Sequence, residues 1–64
     1  MATDPMHSYN IGYTAGKEYG KKKPGLRSWE IESEVRRQLK ALKKSVTLVE
    51  SAYARGFYDG YMSA

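Results

Sequence analysis

Apolar and small residues recur at helical spacing along most of the chain, in two blocks. In the first, Met6, Tyr9, Tyr13, Gly16 and Gly20 follow at steps of three and four, which places them on one face of a helix. Asp4-Pro5 starts it, with Asp as N-cap and Pro at the first helical position, where a missing N–H costs nothing. Gly20 is the stop, and Lys21, Lys22 and Lys23 complement the negative end of the helix dipole. In the second block, Val35, Leu39, Leu42, Val46, Val49, Tyr53, Gly56 and Gly60 alternate steps of four and three, an unbroken heptad seam. Ser28 is the N-cap candidate here, and Glu30, Glu32 and Glu34 crowd the first two turns, where carboxylates interact well with the dipole. Between the blocks, Lys23-Pro24-Gly25 is a turn.

The expected fold is therefore all-α, in a single domain over residues 1–64. A short helix at about 5–20 and a hinge at 21–27 lead into a long helix at about 28–62, forming a helical hairpin. At 1.5 Å per residue the long helix spans roughly 50 Å, far more than the first helix covers. A hairpin would leave Val46, Val49, Tyr53 and the glycines beyond them exposed. Each large side chain left in water forgoes roughly 1.5–3 kcal/mol. With 64 residues and no cysteine to staple them, a homodimer is the expected remedy. The competing solution is a break near Thr47 or Gly56 that folds the C-terminal segment back over the first helix.

The two ends of the chain echo each other. Tyr9-Asn10-Ile11-Gly12-Tyr13-Thr14-Ala15-Gly16 and Tyr53-Ala54-Arg55-Gly56-Phe57-Tyr58-Asp59-Gly60 share the pattern aromatic, two residues, Gly, aromatic, two residues, Gly. Glycine in a helix costs about 1 kcal/mol relative to alanine. A repeated glycine stripe favours close packing against another backbone over a frayed loop, although a loop remains the plainer reading of each glycine alone. Tyr9, Gly12, Tyr13 and Gly16, with Tyr53, Arg55, Gly56, Phe57 and Gly60, are thus candidate contact residues for a second copy or a partner, together with Val35, Leu39, Leu42, Val46 and Val49. Arg55 amid aromatic rings has the composition of an interface hot spot.

These blocks resemble the ribosome modulation factor family, whose helices carry a Gly-Tyr-x-Ala-Gly element and an aromatic-x-x-Gly-aromatic element. Here the two read Gly12-Tyr13-Thr14-Ala15-Gly16 and Tyr53-Ala54-Arg55-Gly56-Phe57. The resemblance implies a small helical protein associated with the ribosome. Three departures accompany it. The family's basic N-terminal arm is missing, its Cys-Pro-Tyr connector is replaced by Lys23-Pro24-Gly25, and the spacer between the blocks is longer. The chain is also similar to small helical proteins of phages and plasmids, many of which block a host protein.

Charge then narrows the function. Eleven Lys and Arg against seven Asp and Glu give a net charge of +4, which favours an acidic partner or simply confers solubility. Arg36, Arg37, Lys40, Lys43 and Lys44 lie away from the seam, and with Lys21, Lys22, Lys23 and Arg27 they would form one basic patch suited to phosphates. A solvated helix face explains the same residues almost as well. No catalytic set is apparent, and the lone His7 is read as a surface residue, so no enzyme, cofactor, metal or small-molecule substrate is expected. No apolar run reaches the roughly 20 residues of a membrane span, and Met1–Met6 lacks signal-peptide character, so a cytoplasmic location is expected. The leading reading is a non-catalytic binding protein for RNA or a ribonucleoprotein. The alternative is an inhibitor that blocks a host protein through its Tyr/Gly-rich helix surface.

Overall fold

Residues 4–42 and 47–64 are described by a computed structural model. They form three helices, α1 (Pro5–Lys22), α2 (Ser28–Leu42) and α3 (Glu50–Ser63), with no strand among them. The start of α1 is as the sequence suggests: the Asp4 carboxylate accepts a hydrogen bond from the Met6 N–H at 2.9 Å, with Pro5 just inside the helix. The start of α2 differs by one residue. The Arg27 carbonyl accepts from the N–H groups of Glu30 and Ile31, and the Glu30 carboxylate reaches back to the Arg27 N–H at 3.0 Å. This is the glutamate half of a capping box, with Arg27 rather than Ser28 at the cap position. Gly25, at φ 80°, makes the turn between α1 and α2, a left-handed conformation that a side chain would strain.

The expected long helix is two helices. Thr47, Leu48 and Val49 are not helical, and α3 begins afresh at Glu50. Val46, a seam residue, lies outside the described residues. The reason for the break is the contact between α1 and α3. A methyl group added at Gly12 would run into the Tyr53 carbonyl oxygen, and one at Gly16 into that of Phe57. From the other side, a methyl at Gly56 would strike the Tyr9 carbonyl and one at Gly60 that of Tyr13. At Gly20 it would lie 2.6 Å from the Ala64 methyl. The helices therefore touch backbone to backbone, the small-residue packing best known from membrane helices. Partner numbers rise together along both helices, so α1 and α3 run parallel. A continuous helix from Ser28 onward could not present this face to α1.

Parallel helices need a return, and α2 supplies it. Polar tethers fix both ends of the arrangement. Near the hinge, the Tyr61 hydroxyl accepts from the Leu26 N–H at 2.7 Å and donates to the Lys23 carbonyl. At the opposite end, the fully buried Ser8 hydroxyl accepts from the Val49 N–H at 2.9 Å. Ile31, Val35 and Leu39 of α2 then pack with Leu48, Tyr53, Phe57 and Tyr61 as the core. α1 contributes Ser8, Gly12, Gly16 and Gly20 as its buried residues, with Ile11, Ala15 and Tyr19 half-buried beside them. Met6, placed by periodicity on the buried face, is 62% exposed. It lies one turn before the first glycine contact. The radius of gyration, 11.0 Å, is close to the roughly 10.7 Å of a compact chain of this length, and Val35, Leu39, Tyr53, Gly56 and Gly60 of the seam are buried within one copy.

If the glycine contact sets this fold, Gly16→Ala should cost at least about 2 kcal/mol, despite a helix-propensity gain of about 1 kcal/mol. In a thermal melt that is a lowering of roughly 10 °C or more. Gly25→Ala meets no atom within 4 Å and should cost only its backbone strain, about 1–2 kcal/mol. A Gly16→Ala melting temperature equal to or above that of the parent would contradict the packing.

Candidate nucleic-acid interface

The residues expected to contact a partner fall into two groups in the structure. Gly12, Gly16, Tyr53, Gly56, Phe57 and Gly60 are buried in the α1–α3 contact and the core, so they offer no surface to another chain. Val35 and Leu39 are buried, and Leu42 and Val49 half-buried, all within the same copy. Tyr9 and Tyr13 are half-buried, their rings 6.2 Å apart, and the Tyr9 hydroxyl donates to Asp59 at 2.6 Å. That hydrogen bond, then burial, raises the Tyr9 hydroxyl above its ordinary pKa. Arg55 stays outward, 3.7 Å from the same Asp59 carboxylate, but the rings of Tyr53 and Phe57 beside it in sequence face the core.

The basic residues remain at the surface. Lys21, Lys22, Lys23 and Arg27 are exposed, and so are Arg36, Arg37 and Lys40, while Lys43 and Lys44 lie outside the described residues. Their electrostatics are unequal. Arg36 pairs with Glu32 at 2.7 Å, an exposed i,i+4 pair. Arg37 grips Glu34 in bidentate fashion, with Nη2 at 2.9 and 2.7 Å from its two oxygens. These two cations are already partnered. Segment 21–27, Lys-Lys-Lys-Pro-Gly-Leu-Arg, holds four cations and no acid, and none of the four forms an ion pair among the described residues. Among the described residues, the densest group of unpaired positive charge thus sits at the end of α1 and the hinge.

Glu34 is the most engaged charge among the described residues, only 9% exposed. Burial alone would raise its carboxyl. Hydrogen bonds from Arg37 and Gln38, the Arg37 charge and the Tyr19 hydroxyl outweigh that and hold its pKa below the ordinary value. The Gln38 amide donates to Glu34 at 2.9 Å while its oxygen accepts from the buried Tyr53 hydroxyl at 2.8 Å. A polar relay therefore joins α2 to α3. Burial, and then the charge of Glu34, raises the Tyr19 and Tyr53 hydroxyls.

One residue beside the basic segment carries no signal in the sequence pattern. Trp29, in the first turn of α2, is 66% exposed. It lines a groove of about 300 Å3 with Tyr19, Lys23, Leu26, Glu30, Ser33, Glu34 and Arg37. No heptad position marks it, and only its large ring in an otherwise polar turn sets it apart. Among the described residues no group of three or more His, Cys, Asp or Glu could hold a metal ion, and no helix is long and apolar enough to cross a membrane. No family model, curated protein or solved structure matches the chain.

The depressed Glu34 carboxyl has a signed consequence. Its contribution to stability is present above the unfolded glutamate pKa of roughly 4.3 and is lost as pH falls through the folded value. Urea midpoints compared at pH 7 and pH 3 should fall further for the parent than for Glu34→Gln. Equal falls would mean that the ionised carboxylate adds nothing to the relay.

Proposed function

We propose that the chain is a small, non-catalytic, basic regulatory protein that docks on an acidic macromolecule, RNA or a ribonucleoprotein first. The observation that carries this reading is the cation cluster of Lys21, Lys22, Lys23 and Arg27, without ion pairs among the described residues and exposed at one end of a compact three-helix body. Phosphate binding by such a cluster releases counterions, which makes affinity depend on the number of phosphates neutralised rather than on base sequence. Lys40 lies near the far end of α2, roughly 20 Å from Arg27, and stands apart from the cluster, while Arg36 and Arg37 must exchange their carboxylate partners before they can add to it. The blocks that resemble ribosome modulation factor are those that meet between α1 and α3. The resemblance therefore speaks to the packing and leaves the choice of partner to the charges.

The second reading is contact with another protein, either a host target or a second copy in a homodimer. It is favoured by a groove of about 400 Å3 between α2 and α3, lined by Ile31, Val35, Ala54 and Tyr58 with Ser28, Glu32, Ser51 and Arg55 at its edges. The Tyr/Gly stripe is occupied by the chain itself, so this groove takes its place as the surface for a protein partner. Charge favours the RNA reading.

Salt separates the two. The logarithm of the affinity for single-stranded RNA should fall linearly with that of salt concentration. Replacing Lys21, Lys22 and Lys23 together by Gln should flatten that slope by roughly 2, at about 0.7 for each phosphate no longer neutralised. Binding unaffected by salt, or a slope unchanged in the triple variant, would move the reading to the groove between α2 and α3.

A further inference from the structure

Trp29 stands out because tryptophan is highly buried on average, yet here the ring is two-thirds in water beside the most basic segment of the chain. It stacks on no other ring among the described residues, whose ring contacts involve Tyr9, Tyr13, Tyr19, Tyr53, Phe57 and Tyr61. The core does not use it, because Ile31, Val35 and Leu39 provide the buried face of α2, and its exposure forgoes the hydrophobic gain of a large ring. The ring instead forms one wall of the groove between the end of α1 and the flank of α2.

The groove has an electrostatic direction. Lys23 lies on its hinge side and Arg37 at the far end of the Trp29, Ser33, Arg37 ridge, about 12 Å along the helix from the indole. Arg37 and Glu34 are paired and add no net charge to the groove, and Glu30 accepts from the Arg27 N–H. The cations free to meet an anion are therefore Lys23 and the neighbouring Lys21 and Lys22, which form no ion pair among the described residues. An exposed aromatic face flanked by cations is the arrangement that binds single-stranded nucleic acid, where the ring stacks on a base and the cations track the backbone. A duplex keeps its bases stacked inside and has no free face to offer.

We propose that this groove binds an unpaired nucleotide of RNA, its base stacked on Trp29 and its flanking phosphates held by Lys23 and the neighbouring lysines. The proposal rests on the RNA reading above and narrows it to single-stranded segments. It also assigns the base contact to the hinge end of the molecule, away from the aromatic residues of the glycine blocks.

Trp29 is the only tryptophan, so its fluorescence reports the groove directly. In a titration at low salt, a short oligouridylate should quench that fluorescence, whereas heparin, a polyanion without bases, should bind without comparable quenching. Measured by anisotropy of a labelled oligonucleotide, Trp29→Ala should weaken single-strand binding roughly tenfold and leave duplex RNA binding unchanged, with Trp29→Phe restoring most of the affinity. Equal quenching by heparin, or single-strand affinity unchanged in Trp29→Ala, would overturn the stacking site while leaving phosphate docking in place. Absence of binding to either RNA at low salt would overturn both. An unchanged helical circular dichroism spectrum for Trp29→Ala keeps a folding defect from imitating the expected weakening.

Discussion

Between α1 and α3 the two main chains lie in direct contact. Where Gly12 and Gly16 face Gly56 and Gly60, carbonyl oxygens of one helix lie where the other helix would carry its side chains. That contact dictates much else. It fixes α1 and α3 as parallel, so an intervening helix must run back, and α2 does so across their shared flank. It also leaves α1 with almost no bulky side chain to bury, which shifts the core to α2 and α3. The aromatic residues next to the glycines, Tyr53 and Phe57, are driven to full burial, and their rings contribute the apolar area that a 64-residue chain otherwise lacks. Ser8 and Tyr61 then tie the two ends of the arrangement with hydrogen bonds to backbone groups that no helix satisfies.

Much of this was legible in the sequence, and the failures have physical causes. The glycine echo between residues 9–16 and 53–60 pointed to close packing, and a meeting of the two stripes within one chain was among the solutions it allowed. The long helix was misleading because the seam from Val35 to Gly60 keeps heptad register throughout. Periodicity registers which residues are buried and is silent on what buries them. Val35 and Leu39 face the core from α2, whereas Gly56 and Gly60 face α1, and one pattern serves both. No Gly or Pro marks the break; Thr47 and Val49 are only weak helix formers, and the contact of α3 with α1 favours ending the helix near Thr47, one of the two places the sequence allowed. The cap of α2 slipped by one residue because Ser28 has the better capping side chain, while Glu30 acts on the Arg27 N–H instead.

The candidate site was read from charge, and charge alone could not rank its members. Glu32 to Arg36 was visible as an i,i+4 pair, but the bidentate grip of Arg37 on Glu34 depends on the burial of that carboxylate and emerges only from the packing. Those pairings move the weight of the basic patch from α2 to the hinge. Trp29 was invisible for the opposite reason: it belongs to no stripe, and exposure of a single ring is a property of the folded surface. The hinge end is held by the Tyr61 hydroxyl of α3, bonded to the Leu26 N–H and the Lys23 carbonyl, so the function proposed for it depends on the α1–α3 contact that positions Tyr61.

The central claim is that the two glycine faces meet within a single chain. Isotope-filtered nuclear Overhauser spectra of a mixture of labelled and unlabelled protein test it most directly, since they separate contacts within a chain from contacts between chains. The account predicts intrachain cross-peaks from the Gly12 α-protons to Tyr53 and from the Gly60 α-protons to Tyr13, with none of these in the interchain spectrum. Cross-peaks for these pairs found only between chains, or missing altogether while α1 and α3 remain helical, would contradict it.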